Sequence, residues 1–350
     1  MSDAFRELLR KIGSGKHTSE NLTRAEAEAA IRMILQQEAT PAQIGAFLIA
    51  HRIKRLTGEE LAGMLDAYDK LGPKLQALAP SQPVAVLGCP YDGHSRYAPI
   101  TPLTALILAA AGIAVVQHGG ERMPTKEGTP LIEIWQGLGV NWHRLSLKQC
   151  QQVFEKTLVG FVYLPTHFPL AHKIVPYRSQ IGKRPPLATL ELIWSPYSGD
   201  AHIFSGFVHP PTENFFREAH ALRGTRHFTT VKGLEGSCDL PRARTAIIGT
   251  CSLDSDGKPH FQRLLLPAHD YGFQGNDVPL SSTPELVEQI HSVLQGKPSE
   301  LMKSAIWNGG FYLWRCGVCT DLKAGFAKAE ALLSGGEAAA KLQEINGALK

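Results

Sequence analysis

Residues 84–120 read VAVLGCPYDGHSRYAPITPLTALILAAAGIAVVQHGG. Two short apolar runs rich in valine and isoleucine, VAVLG (84–88) and IAVVQHGG (113–120), flank an apolar stretch of helical composition, and each run ends in glycine. The same texture returns in LVGFVYLP (158–165) and HFTTVKG (227–233). Continuous apolar strands alternating with helices predict a parallel-type central sheet flanked by helices on both faces, an α/β architecture. In such folds the loops at the carboxyl ends of the strands line the ligand crevice. Here those ends read GCPYDG, QHGGERMPTKEG, LPTHFP and KGLEGSCD.

Upstream the pattern is different. Thr23 with Glu26, Thr40 with Pro41 and Gln43, and Thr57 with Glu60 each have the spacing of a capping box, which supplies acceptors to the unpaired N–H groups of a helix start. Between them, apolar residues recur at three and four positions. The expectation is a small all-helical domain over residues 1–75, a Pro-containing boundary at Leu78–Pro83, and an α/β domain over 80–350. A proline-rich basic segment, Pro165–Pro196, is expected to contribute helical hinge structure over about 165–190 and to pass close to the site. From Pro284 onward the chain reads as helical, with an Ala-rich last helix expected to be exposed.

With 43% hydrophobic and 19% charged residues in 350, the chain is neither disordered nor fibrous. Its longest apolar run, Leu103–Val116, is shorter than the ~20 residues a bilayer needs and is broken by Gly112, so it reads as a buried helix followed by a buried strand. The first residues lack an apolar signal core, and a soluble cytoplasmic protein is expected. Six cysteines in a chain of this length do not form a disulfide framework, and the single C-x-x-C at Cys316 and Cys319 lacks the second pair of a structural zinc site. Both are read as core packing rather than metal or redox chemistry. The net charge of +4 permits an anionic ligand without requiring one.

Taken alone, the strand-end glycines with Lys126 form a weak phosphate-site signal, because such glycines also make ordinary tight turns. The order of segments adds more. PAQIGAFLIAHRIKRLTGEELAG (41–63) follows the pattern Q-I-G-A-F-L-x-A-x-R … T-x-E-E-x-A-G, and QHGG…KEGT…LGV (117–140) is similar to K-H-G-N-R…K-S-G-S…A-L-G, with His118, Gly119, Lys126 and Gly128 matching. Pro165, Pro169, Arg178, Gly182, Arg184 and Pro196 match in spacing, and Asn308 falls at an N-A-A segment. In these features the chain resembles the anthranilate phosphoribosyltransferase family, glycosyltransferase family 3. The resemblance implies a class II phosphoribosyltransferase fold like that of the nucleoside phosphorylases, a homodimer, magnesium as cofactor, and transfer of ribose 5-phosphate from phosphoribosyl pyrophosphate to anthranilate.

Several positions depart from that pattern. The pyrophosphate loop G-T-G-G-D becomes Gly88-Cys89-Pro90-Tyr91-Asp92, in which proline removes a donor and tyrosine takes up diphosphate volume. N-x-S-T becomes Ala98-Pro99-Ile100-Thr101, and H-G-x-D-G-L-D-E becomes Lys232-Gly233-Leu234-Glu235-Gly236-Ser237-Cys238-Asp239, which turns an Asp-Glu magnesium pair into Cys-Asp. The hinge asparagine becomes Ala188, with Glu191 and Leu192 replacing Gly-Pro. These changes make the chain similar to the family's divergent second branch, associated with nucleic-acid binding.

Two readings follow. In the first, a phosphoribosyl-transfer site uses Gly88, Asp92, Gly93, His118, Gly119, Lys126, Gly128, Arg178 and Arg184, with Lys126 on a phosphate, Arg178 on an acidic acceptor, and Glu235 with Asp239 as a degraded magnesium site. In the second, nucleic acid lies on a basic surface built from Arg52, Lys54, Arg55, Lys173, Lys183 and Lys232, joined by Arg178, Arg184, Arg223, Arg226, Arg242 and Arg244, with Tyr91, Tyr97 and Tyr177 for stacking.

Overall fold

A computed structural model describes residues 3–15, 17–78, 84–253 and 259–349. The expected boundary at Leu78–Pro83 lies, beyond Leu78, outside the described residues. Four helices open the chain: α1 (Asp3–Gly13), α2 (Arg24–Leu35), α3 (Pro41–Lys54) and α4 (Gly58–Leu71). All three expected capping boxes are formed, on Thr23, Thr40 and Thr57. The helices bury Phe5, Ile31, Ile34, Phe47, Leu61 and Tyr68 between them and against the rest of the molecule.

The sheet contains β1 (Val84–Leu87), β2 (Ala114–Gly119), β3 (Val159–Tyr163), β4 (His202–Gly206), β5 (His227–Val231), β6 (Ala246–Leu253) and β7 (Pro259–Leu266). Their spatial order is β3-β2-β1-β4-β5-β6-β7. The first five run parallel, whereas β5–β6 and β6–β7 are antiparallel, so the sheet ends in a hairpin that the expectation of a parallel sheet did not contain. Between β1 and β2 lies α5 (Thr101–Ala110), almost wholly buried, as the apolar run predicts.

The remaining helices cover the two faces. They are α6 (Leu131–Gly137), α7 (Leu147–Thr157), α8 (Leu164–His167), α9 (Pro169–His172), α10 (Val175–Ile181), α11 (Leu187–Leu190), α12 (Pro210–Leu222), α13 (Thr283–Leu294), α14 (Glu300–Arg315), α15 (Leu322–Ser334) and α16 (Glu337–Ala348). The proline-rich segment folds as the short helices α8–α11, broken where proline cannot continue a helix. Phe168 and Trp194 from this segment pack on Tyr68 of α4 at ring separations of 5.2 and 5.6 Å, which fastens the segment to the N-terminal helices. Correcting the expectation of an exposed last helix, α16 buries Ala338, Leu342 and Ile345.

Strand β1 leads by one route to β2 and β3 and by the other neighbours β4 and β5, so the strand order reverses beside β1. A crevice opens at such a reversal, outside the carboxyl ends of the strands. Residues following β1 (Pro90, Tyr91, Asp92) and β4 (Phe207 to Thr212) accordingly line a cleft of about 870 Å³, closed on its other side by Arg52, Arg55 and the α10–α11 segment.

Candidate functional site

The floor of the cleft is made by two loops that lock together. Gly93 has φ +72°, and a β-carbon there would strike the backbone of Gly128 and Thr129. This close approach lets His94 and Thr129 exchange backbone hydrogen bonds at 3.1 and 2.7 Å while the Gly128 N–H donates to the Asp92 carbonyl at 2.9 Å. Lys126 is thereby placed over the 92–97 loop, where its ammonium donates to the Gly93 carbonyl at 2.6 Å and pairs with Glu235 at 2.5 Å.

Glu235 is the centre of this arrangement. Its carboxylate accepts from the backbone N–H groups of Ser95 (3.2 Å to each oxygen), Arg96 (2.8 Å) and Tyr97 (2.9 Å) and from the Ser95 hydroxyl at 3.3 Å. Burial alone would raise its pKa, but the Lys126 ammonium and the Tyr97 and Arg96 amides outweigh that and lower it to about 2. Asp239, four residues on in the chain, is buried; it accepts from the Ile100 N–H at 3.0 Å and the Thr101 hydroxyl at 2.9 Å. Both carboxylates of the expected metal site are thus bonded to protein donors, and no cluster of three or more His, Cys, Asp or Glu suited to a metal occurs among the described residues. Magnesium requires several free oxygen ligands in near-octahedral array, so these residues do not fit it as they stand.

The other expected ligand-binding cations also have partners within the chain. Arg178 is buried and paired with Glu191, which keeps it from a nucleic acid in solvent. Arg184 is paired with Asp92 but remains 43% exposed at the cleft mouth. His118 does not line the cleft. It sits in the core between Tyr91, whose hydroxyl meets its Nδ1, and Trp194, and burial lowers its pKa to about 3, so it is neutral. The Gly88 N–H donates to the Phe204 carbonyl at 2.8 Å and is not free for a phosphate. Gly119 ends β2, where a β-carbon would face Phe161 and Tyr91 rather than a ligand.

Among the nucleic-acid candidates, Lys54 is a correction, since its ammonium is buried against Glu60 at 2.9 Å and Asn21 at 2.7 Å. Arg242 is another: it is buried, bonding the Phe273 carbonyl at 2.8 Å and Glu300 at 3.0 Å. Arg223 is clamped by Asp66 and Asp69. Tyr91 is buried and cannot stack on a base from solvent, whereas Tyr97 and Tyr177 are half-buried. Arg52, Arg55, Lys173, Lys183, Arg226 and Arg244 are exposed, and Lys232 is half-buried. Of these, Arg52, Arg55 and Lys183 line the cleft mouth with Arg184, and Arg52 also donates to the Arg184 carbonyl at 2.8 Å.

The donors that sequence reasoning missed are the amides of Ser95, Arg96 and Tyr97 and the buried ring of His94. Backbone donors leave no signature in residue type; the glycine at 93, which turns the loop, is the available signal. Cys316 and Cys319 are half-buried free thiols packed against the core.

Relatives match this chain in sequence and in fold along nearly its whole length. The family model for the glycosyl transferase family helical bundle domain matches residues 6–72, and that for its a/b domain matches residues 93–339. Anthranilate phosphoribosyltransferase of Afipia carboxidovorans is 28% identical over 99% of this chain and 98% of its own length. That of Verminephrobacter eiseniae is 25% identical over 90% of each. In fold, the chain superposes on the Thermus thermophilus anthranilate phosphoribosyltransferase with a TM-score of 0.81 at 20% identity, covering 99% of both chains. The Saccharomyces cerevisiae enzyme in complex with PRPP and Mg gives 0.83 at 16% identity, covering 99% and 98%. With both of the family's domains matched over most of its length, the chain belongs to the anthranilate phosphoribosyltransferase family, glycosyl transferase family 3.

Proposed function

We propose that this protein keeps the scaffold of the anthranilate phosphoribosyltransferases without their ordinary reaction, and binds single-stranded nucleic acid along the cationic mouth of its cleft. The observation that carries the reading is the division of charge. Lys126 pairs with Glu235, which lines the cleft, and Arg184 at the mouth pairs with Asp92; behind them Arg178 is held by Glu191, whose carboxyl burial pushes up to about 7. A phosphorylated donor and an acidic acceptor would need those cations, and each cation would have to abandon a partner to serve them. At the mouth, Arg52, Arg55 and Lys183 face solvent, the placement that phosphodiester backbones use. Pro90 and Tyr91 line the cleft after β1, where the proline has no N–H to offer a diphosphate.

The resemblance to the divergent branch supports the same reading. A homodimer fits it as well. Between α1 and α3 lies an apolar groove of about 800 Å³ whose lining includes Leu9, Ile12, Ala46, Ile49 and Ile53, with Ile53 71% exposed. A second copy seated there would cover this apolar surface. Because Arg55 lines both groove and cleft, two cationic mouths would then flank one interface.

The test is fluorescence anisotropy of a labelled oligothymidylate at two salt concentrations, with wild-type protein and with Arg55→Ala and Lys183→Ala. Wild-type affinity should fall as salt rises, and each variant should lower the slope of log affinity against log salt by about 0.7 for every phosphate it no longer neutralises. Wild-type protein that leaves the oligonucleotide free at the lower salt, or variants with the wild-type slope, would overturn the assignment.

A further inference from the structure

The donor set around Glu235 is larger than a structural ion pair requires. Three consecutive backbone N–H groups, one hydroxyl and one ammonium converge on its two oxygens, with the Arg96 guanidinium at 3.9 Å and His94 Nδ1 at 3.8 Å from the same carboxylate. Successive N–H groups turned to one side form an anion-binding concavity, and a lysine beside it is the usual supplement for a phosphate. The Ser95 N–H is shared at 3.2 Å with both oxygens, and its hydroxyl reaches only to 3.3 Å. These are the longest hydrogen bonds of the set, and a tetrahedral oxyanion would offer the Ser95 donors a third oxygen.

The position of Glu235 points the same way. Its backbone is left-handed, φ +53°, a conformation that disfavours a residue with a β-carbon. Although its side chain is only 1% exposed, the residue lines the cleft with Asp92 and Thr125, so the concavity is reached from solvent once the carboxylate leaves.

We propose that Glu235 is a resident anion: its carboxylate fills a phosphate-type cradle formed by the Ser95, Arg96 and Tyr97 amides with Lys126, closing it to inorganic phosphate and phosphomonoesters, and vacating it restores a phosphate site. The proposal is independent of nucleic-acid binding at the cleft mouth, which uses other residues and a different probe.

Glu235→Gly removes the carboxylate and suits the left-handed backbone; Glu235→Gln keeps the shape and removes the charge. Each is titrated calorimetrically with sodium phosphate beside the wild type, after circular dichroism confirms folding. Glu235→Gly should bind phosphate saturably and at least ~10-fold more tightly than the wild type, Glu235→Gln should show a smaller gain, and adding Lys126→Met to Glu235→Gly should abolish it. If Glu235→Gly does not fold, a gain in Glu235→Gln supports the cradle and its absence refutes it. Folded variants with only wild-type affinity for phosphate would make Glu235 a structural clamp between two loops and overturn the proposal, as would a wild type that binds phosphate as tightly as the variants.

Discussion

Two carboxylates in this molecule are held in nearly the same way and do different things. Glu60 in the N-terminal helices accepts from the Leu22 and Thr57 amides, both at 2.9 Å, and pairs with Lys54 at 2.9 Å and His51 at 3.3 Å. Glu235 has the Ser95, Arg96 and Tyr97 amides, Lys126 and His94 around it, and itself lines the cleft. Burial works to raise both pKa values, yet each is drawn down to about 2, Glu60 chiefly by His51 and Glu235 chiefly by Lys126. The surroundings separate them. Glu60 lies in regular helix, is the third residue of a capping box, and has protein on every side. Glu235 sits in a left-handed turn with the cleft in front of it. The same chemistry is architecture where nothing else can enter and occupancy where something can.

The comparison breaks most readily at Glu60. Glu60→Ala takes the counter-ion from the buried Lys54 and leaves the Leu22 and Thr57 amides unpaired; it should cost about 3–5 kcal/mol, read from urea unfolding, with no gain in phosphate binding. A gain there would mean that the donor set, not the cleft, makes an anion site. Glu235→Gly should cost less, about 1–2 kcal/mol, because water from the cleft reaches the vacated donors and the left-handed strain is relieved. A loss equal to that of Glu60→Ala would mean that both carboxylates are structural.

Acid should reach the two sites together. Each carboxylate pKa is lowered on folding, so each contributes stability that is complete above the unfolded value of about 4.3 and is lost as pH falls toward about 2. His118 and His220, whose values burial lowers to about 3, add a loss that begins below the ordinary histidine value of about 6.5, because the unfolded chain takes up the proton first. Burial raises Glu191 to about 7 and Asp239 above its ordinary value, and these two add stability as pH falls toward the unfolded carboxylate range. Below pH ~4.5 that gain is complete, so thermal unfolding followed from there to pH ~3 should show declining stability, and Glu60→Ala should flatten the curve. The smallest effect belongs to the cleft mouth: Arg55→Ala and Lys183→Ala should each weaken oligonucleotide binding a few-fold and leave unfolding within about 0.5 kcal/mol of wild type. A larger stability change would place these cations in the architecture with Lys54.

The fold can be read where the chain states its own periodicity. The capping boxes at Thr23, Thr40 and Thr57 and the strands at 84–87, 114–119, 159–163 and 227–231 follow from local pattern. The strand at His202–Gly206 escapes that pattern because only Ile203 and Phe204 of its residues are strong strand formers and it closes in Ser205 and Gly206, and β7 because it is an exposed edge with residues of mixed polarity. The site is legible in its residue types and not in its pairings. Lys126 looks like an anion ligand from the strand-end glycines around it, and Arg178 and Arg184 from the family resemblance; only the folded chain brings Glu235, Glu191 and Asp92 against them. In the sequence Glu191 is only a departure from a family motif, yet it is the partner that retires Arg178.

A cleft floor closed to the sugar-phosphate chemistry of the family should give no saturable heat when the wild-type protein is titrated calorimetrically with phosphoribosyl pyrophosphate and magnesium at concentrations where an anthranilate phosphoribosyltransferase is saturated. Tight, magnesium-dependent binding that disappears in Lys126→Ala would contradict it, for then the lysine would leave Glu235 to serve the donor and the floor would be a working phosphoribosyl site.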